Sequence, residues 1–215
     1  MATSLYLIRH GESLANLQKK FLGHGDWDLT ENGYKQAECA ASYFKDIQVD
    51  AIYSSDLQRA KHTADAIAKL KGLEVTPTSR LREIYGGEWE FKTFDELADT
   101  DTDGLWQVWK DMESADVICR GGESITELLV RVYSALEEIA RSHDKETVVV
   151  ATHATVIRVM IQILKFKTMS QMNRNPWVAN ASITKLVFKD GKFSLEFENE
   201  TSHLGSMVTV LPPNV

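Results

Sequence analysis

A short apolar run, Leu5-Tyr6-Leu7-Ile8, passes directly into Arg9-His10-Gly11-Glu12 near the N-terminus. No other feature so limits what the chain can fold into. The run is too short for a helix and has polar residues on both sides, so it reads as a buried strand. In an open α/β sheet, chemistry collects just beyond the carboxyl ends of the strands. A His at that point can act as nucleophile, base or ligand. The Arg beside it suggests an anion as partner.

Two further apolar runs end in the same manner. Ala51 to Tyr53 leads into Ser54-Ser55-Asp56-Leu57-Gln58-Arg59-Ala60, and Val148 to Val150 leads through Ala151-Thr152 to His153. Helical patterns lie between and after them. Thr30 to Asp46 reads as a helix with Thr30 as N-cap. Ser55 or Asp56 is expected to cap a second helix bearing Leu57, Ala60, Ala64, Ile67 and Leu70. Ser124-x-x-Glu127 is a capping box opening a helix with Ile125, Leu128, Leu129, Val132, Leu136 and Ile139 at helical spacing. Ala154 to Leu164 continues as a helix from His153. Asp190-Gly191 separates two alternating runs, Ser182 to Lys189 and Lys192 to Glu198, as in a β-hairpin. Alternating strands and helices predict an α/β fold. Residues 88–123 break the rhythm and read as a small cap insertion over the strand ends, within one domain spanning 1–215.

Between the second and third runs lies Leu81-Arg82-Glu83-Ile84-Tyr85-Gly86-Gly87-Glu88-Trp89-Glu90. With the three strand-end motifs it makes four elements, from Leu5 to Arg158, whose order and spacing resemble those of the histidine phosphatase superfamily, also called phosphoglycerate mutase-like. The resemblance implies a three-layer α/β/α fold with a mostly parallel central sheet. It also implies a phosphohistidine formed on His10, with neither cofactor nor metal.

Phosphate ester cleavage needs an in-line nucleophile, donors for three equatorial oxygens and a proton for the leaving alkoxide. Arg9 and Arg59 carry forked, permanent charges suited to phosphate oxygens. His153 adds a donor from another strand end, cationic once phosphate is bound, and Asn16 resembles the family's phosphate-contacting Asn. Glu83 stands where the family places its general acid, which returns as base toward water. Glu88 and Glu90 compete for that role by composition alone. Phe91 and Ala154 depart from the pattern, where Gly is common in the family.

The bulk properties exclude several classes. A formal charge of −7 argues against a polyanionic partner, so no nucleic acid is expected. No run approaches the ~18 apolar residues of a membrane span, so no membrane is expected either. The chain enters its first strand too early for a signal peptide. Cys39 and Cys119 form no C-x-x-C pair, so a cytoplasmic location is expected. Asp99-Thr-Asp-Thr-Asp103-Gly104 starts like a calcium loop, but Lys110 stands where the bidentate Glu is required. His24, Asp26 and Asp28 with His10 lack metal-ligand spacing. His62, one turn past Arg59, reads as a bystander.

The resemblance implies a small phosphate ester as partner. Phe21, Leu22, Trp27, Trp89 and Phe91 are expected to build its pocket. Phe94, Trp106, Trp109 and Met112 supply either more wall or a core for the cap. Residues 88–123 hold eleven Asp or Glu against Lys92, Lys110 and Arg120, a wall expected to repel a second phosphate. The interval between His10 and His153 resembles the shorter, phosphatase branch of the family. The expected function is a broad-specificity phosphomonoesterase with some preference for hydrophobic leaving groups. The alternatives are a cofactor-dependent phosphoglycerate mutase and a non-catalytic phosphoryl-binding regulator on the same fold.

Overall fold

A computed structural model describes residues 2–113 and 117–209. In chain order its elements are β1 (Ala2–Arg9), α1 (Leu14–Leu17), α2 (Glu31–Tyr43), β2 (Ala51–Ser55), α3 (Gln58–Lys71), β3 (Val75–Thr78), α4 (Phe94–Asp99), α5 (Leu105–Asp111), α6 (Ile125–Ser142), β4 (Thr147–Thr152), α7 (Ala154–Phe166), β5 (Ile183–Lys189) and β6 (Lys192–Glu200). The strands form one sheet in the order β3-β2-β4-β1-β5-β6. The first four run parallel. β5 is antiparallel to β1, and β6 to β5.

The strand pleat explains why the strand runs are apolar throughout. Leu5, Leu7, Val148 and Val150 point into a core with Leu128, Val132 and Leu136 of α6 and Val156 and Ile157 of α7. Tyr6, Ile8, Val149 and Ala151 point the other way, toward Ala40 of α2 and Ala64 and Ile67 of α3. Successive side chains serve opposite faces, and a parallel sheet needs both covered. Three layers, α/β/α, are the result.

Local signals place most boundaries. Thr30 caps α2 by accepting from the Gly33 N–H, and Ser124 and Glu127 close their capping box at the head of α6. α3 differs from expectation. It starts at Gln58, with neither Ser55 nor Asp56 as cap. The Gln58 N–H donates to Asp26 Oδ1 at 2.7 Å, so the cap comes from another loop. Leu70, expected on the buried face of α3, is exposed. β3 is a four-residue edge strand containing Pro77, which a sheet tolerates at an edge.

Within residues 88–123, Trp89, Trp106 and Trp109 meet Phe21 edge to face, with centroids 5.4–6.3 Å apart. The acidic loop ahead of α5 works as a cap. Asp101 accepts from the N–H groups of Trp106 and Gln107, and Asp103 accepts from Leu105 and pairs with Arg120. Carboxylates suit the positive end of a helix. Residues 114–116, including Asp116 of the acidic count, lie outside the described residues.

The turn after β1 is fixed by a close backbone approach. A Cβ on Gly11 would stand 2.3 Å from the Gly33 carbonyl oxygen, and one on Gly33 would stand 2.0 Å from that of Glu12. Backbone cannot yield as a side chain tip can. Gly11→Ala is therefore expected to cost about 2 kcal/mol or more in urea denaturation, the scale of overpacking. A change below 0.5 kcal/mol would show that the approach is not needed.

Candidate active site

Because β1, β2 and β4 are parallel, their carboxyl ends open on one edge of the sheet. β1 delivers Arg9 and His10, β4 delivers His153, and β2 leads into the first turn of α3, which carries Arg59. All four are buried, at 5, 5, 0 and 2% exposure respectively. Arg9, His10, Asn16, Arg59 and Glu83 line one cleft of about 390 Å³. His153 lies against His10, with ring centroids 5.2 Å apart, and its neighbours Ala154 and Thr155 line the wall.

The His10 tautomer follows from its partner. Nδ1 lies 2.7 Å from the Gly11 carbonyl oxygen, which can only accept, so Nδ1 carries the proton and Nε2 keeps its lone pair. Burial, with Arg59 and Arg9 alongside, holds the imidazole well below its ordinary pKa. Burial and the Arg59 charge do the same to His153, whose two ring nitrogens are buried without a protein partner. Both rings are neutral at pH 7.

Those shifts set a stability trend. Each folded pKa lies below the unfolded value near 6.5, so the unfolded chain binds more protons at lower pH. The stabilisation is complete above about pH 6.5 and is lost as pH falls below it. Each histidine adds at most about 1.4 kcal/mol per pH unit. In His153→Asn the fall in stability between about pH 6.5 and 5 should be shallower than in the parent. Parallel curves would contradict it.

The two cations are held by carbonyls, not by carboxylates. Arg9 Nη1 donates to Val178 O at 2.6 Å, while its Nε is buried and unpartnered. Arg59 donates to Gly25 O at 2.7 Å and Gly23 O at 2.9 Å. Burial lowers each to about 10, with Glu83 opposing the shift, so both remain charged at neutral pH. Asn16 Oδ1 accepts from Ser13 and from Asn180. That leaves the amide NH₂ as the end able to donate to an anion.

The three candidate carboxylates separate by position. Glu83 lines the cleft, with Oε1 accepting from Ile84 N at 2.8 Å and Oε2 from Thr155 N at 3.2 Å. Glu88 is exposed. Glu90 Oε1 accepts from His24 N and Gly86 N, tying two loops together.

The expected pocket residues also divide. Phe21 and Leu22 line the cleft, joined by Phe94, Trp106, Trp109 and Trp177. Trp89 is buried in the aromatic cluster behind them, and Trp27 pairs with the 44%-exposed Phe91 outside the lining, at 5.9 Å. The described acidic residues of 88–123 are not on the lining either. Beyond Arg9, His10, Arg59 and Glu83, its charged groups are Glu12, Lys19 and Lys20, so the expected repulsive wall is displaced from the cleft.

Several supporting residues give no signal in the sequence. Thr63 Oγ1 accepts from Gly11 N and donates to Arg59 O, linking the loop after β1 to the first turn of α3. Buried Asn180 donates to His10 O and Asn16 Oδ1. Arg158, lowered to about 9 by burial, donates to Met172 O and Asn175 O and stacks 3.9 Å from the Trp177 ring. Thr63 stands one turn after Arg59, the single local clue among them.

No group of three or more His, Cys, Asp or Glu among the described residues could hold a metal ion. His24 Nε2 instead donates to Glu83 O, and Asp28 pairs with His62 and Tyr34.

Two forked cations and two neutral imidazoles meet on the carboxyl edge of a parallel sheet, an arrangement able to hold an anion. The chain belongs to the histidine phosphatase superfamily, whose branch 1 model matches residues 5–201. It is 34% identical to phosphoserine phosphatase 1 of Hydrogenobacter thermophilus, over 94% of each chain. It is 33% identical to an Arabidopsis thaliana metal-independent phosphoserine phosphatase, over 95% of this chain and 84% of that one. The solved structure of Bacillus stearothermophilus YhfR superposes with a TM-score of 0.88 at 29% identity, covering 94% of this chain and 99% of that one. By family and fold the chain is a phosphatase.

Proposed function

We propose that the chain hydrolyses small phosphomonoesters in two in-line steps through a phosphohistidine on His10, with no metal ion. The observation that carries this reading is the His10 ring, held neutral by burial and fixed as the Nδ1–H tautomer by Gly11 O at 2.7 Å. Nε2 is then the attacking atom. In the first step the Nε2–P bond forms as the P–O ester bond breaks, and Glu83 gives its proton to the leaving oxygen. In the second, Glu83 takes a proton from water, whose oxygen attacks phosphorus and frees Nε2. Arg9, Arg59, Asn16 and His153, which takes up a proton once the phosphate dianion is bound beside it, hold the three equatorial oxygens. That is the electrostatic and positioning work phosphoryl transfer requires.

The walls support a broad range of small esters. Phe21, Leu22, Trp106 and Trp109 accept an apolar leaving group, while Lys19, Lys20 and Glu12 can meet charges on a polar one. Phosphoserine, the substrate in the names of two relatives, has both signs of charge beside its phosphate. Among the described residues no helix is long and apolar enough to cross a membrane. Cys39 and Cys119 are free thiols, which suits the cytoplasm.

Turnover of a panel of phosphorylated metabolites should stay within about twofold in excess EDTA, because Arg and His take the place of a metal's charge. Complete loss restored by one divalent ion would overturn the metal-free reading. Phosphoryl exchange dependent on 2,3-bisphosphoglycerate, faster than hydrolysis, would favour a mutase. Phosphate binding without turnover of any ester would favour a regulator.

A further inference from the structure

Glu83 sits on a segment that is neither strand nor helix, between two short 3-10 turns at Ser79–Leu81 and Gly87–Trp89. A segment without a ladder must find partners for its carbonyls elsewhere. One side chain from α6 meets that need. Arg131 Nη1 donates to Arg80 O and Arg82 O, each at 3.0 Å, and Nη2 donates to Glu83 O at 3.2 Å. The same guanidinium grips Glu123, Nε to Oε1 at 2.9 Å and Nη2 to Oε2 at 2.7 Å. Glu123 closes the circuit. Its Oε2 accepts from Tyr85 N at 3.2 Å, and its own N–H donates to Tyr85 O at 2.8 Å. The two side chains are only 22 and 14% exposed.

We infer that Arg131, anchored by Glu123, is the positioning residue for Glu83. It fixes the backbone on both sides of the carboxyl, so that Glu83 meets the N–H groups of Ile84 and Thr155 and faces the leaving group. Five N–H bonds spread over three carbonyls and one carboxylate need a planar fork, which a lysine ammonium lacks. The inference rests on the reading of Glu83 as general acid, and the experiment separates the two.

The test compares kcat/KM on an alkyl phosphate, such as glycerol phosphate, with that on p-nitrophenyl phosphate. Inhibition by inorganic phosphate is followed alongside. Arg131→Met should lower the alkyl reaction by ~10–10²-fold, the cost of a misplaced catalytic group. The aryl reaction should stay within about threefold, since its leaving group departs without a proton, and phosphate inhibition should hold. Arg131→Lys should resemble Arg131→Met. In a Glu83→Gln background Arg131→Met should cost little more, because the group being positioned has gone. Equal losses on both esters, or full additivity with Glu83→Gln, would overturn the inference and leave Arg131 a structural prop. Should Arg131→Met fail to fold, Glu123→Gln keeps all three carbonyl contacts and should show the same selectivity at smaller size. Glu83→Gln is read by itself: a selective loss there with an unselective Arg131→Met sinks only the positioning role. An unselective Glu83→Gln removes the acid reading and the inference with it.

Discussion

His10→Ala is expected to remove turnover almost entirely, by on the order of 10⁶ in kcat, the scale found when a catalytic nucleophile is deleted. The fold should survive. The backbone bonds that seat residue 10, its N–H to Thr152 O and its carbonyl to Ala181 N and Asn180, involve no imidazole atom. The lost side-chain contacts are the bond to Gly11 O and the edge-on packing against His153. Phosphate should still bind, because Arg9, Arg59 and Asn16 remain. A variant that folds and binds phosphate but does not turn over separates chemistry from structure. Residual rates within a hundredfold of the parent, on any ester, would mean that another group attacks phosphorus.

Glu83→Gln is the second large effect, and its size should depend on the substrate. A general acid contributes typically ~10²–10⁴ in rate. An alkyl phosphate releases a strongly basic alkoxide, so it should suffer close to that full loss. Nitrophenolate leaves readily without a proton, so its first step should lose far less. Gln retains a carbonyl oxygen able to accept from Ile84 N or Thr155 N, the present partners of the carboxylate, so placement is largely preserved. The ratio of the two losses in kcat/KM is the readout. Equal losses would mean that Glu83 only positions phosphate or holds the loop. The alternatives are then poorly placed: Glu88 is exposed, and Glu90 is bound to the backbone of two loops.

What the sequence discloses and what it conceals follow from the range of the interactions. A strand that turns polar at its carboxyl end is a local pattern, so Arg9, His10 and His153 can be placed at strand ends from the sequence alone. The parallel pairing of β1, β2 and β4 then gathers them without further information. Arg59 comes with the second run, although the helix that carries it starts one or two residues later than its polar residues suggest. Asp26, 32 positions away, supplies that cap. Thr63, Asn180, Arg131 and Arg158 escape for the same reason, since their partners lie far off in sequence or on the backbone of irregular loops. Aromatic residues in the insertion are plain to see, but composition does not say which way each ring faces. Trp106 and Trp109 line the cleft, Trp89 backs it, and Phe91 stands outside. The acidic count misleads similarly, because Asp101 and Asp103 cap α5.

On the proposed pathway phosphorus is attacked twice, first by His10 and then by water. Each in-line displacement inverts configuration at phosphorus, so two in succession restore it. Hydrolysis in ¹⁸O-water of a phosphorothioate monoester made chiral with ¹⁶O and ¹⁷O reads this directly, whether or not the intermediate accumulates. The expected product is inorganic thiophosphate of retained configuration, and enzyme quenched while turning over an ordinary ester should carry an acid-labile, base-stable phosphoryl group on His10. Inverted configuration would mean a single attack by water and would contradict the account.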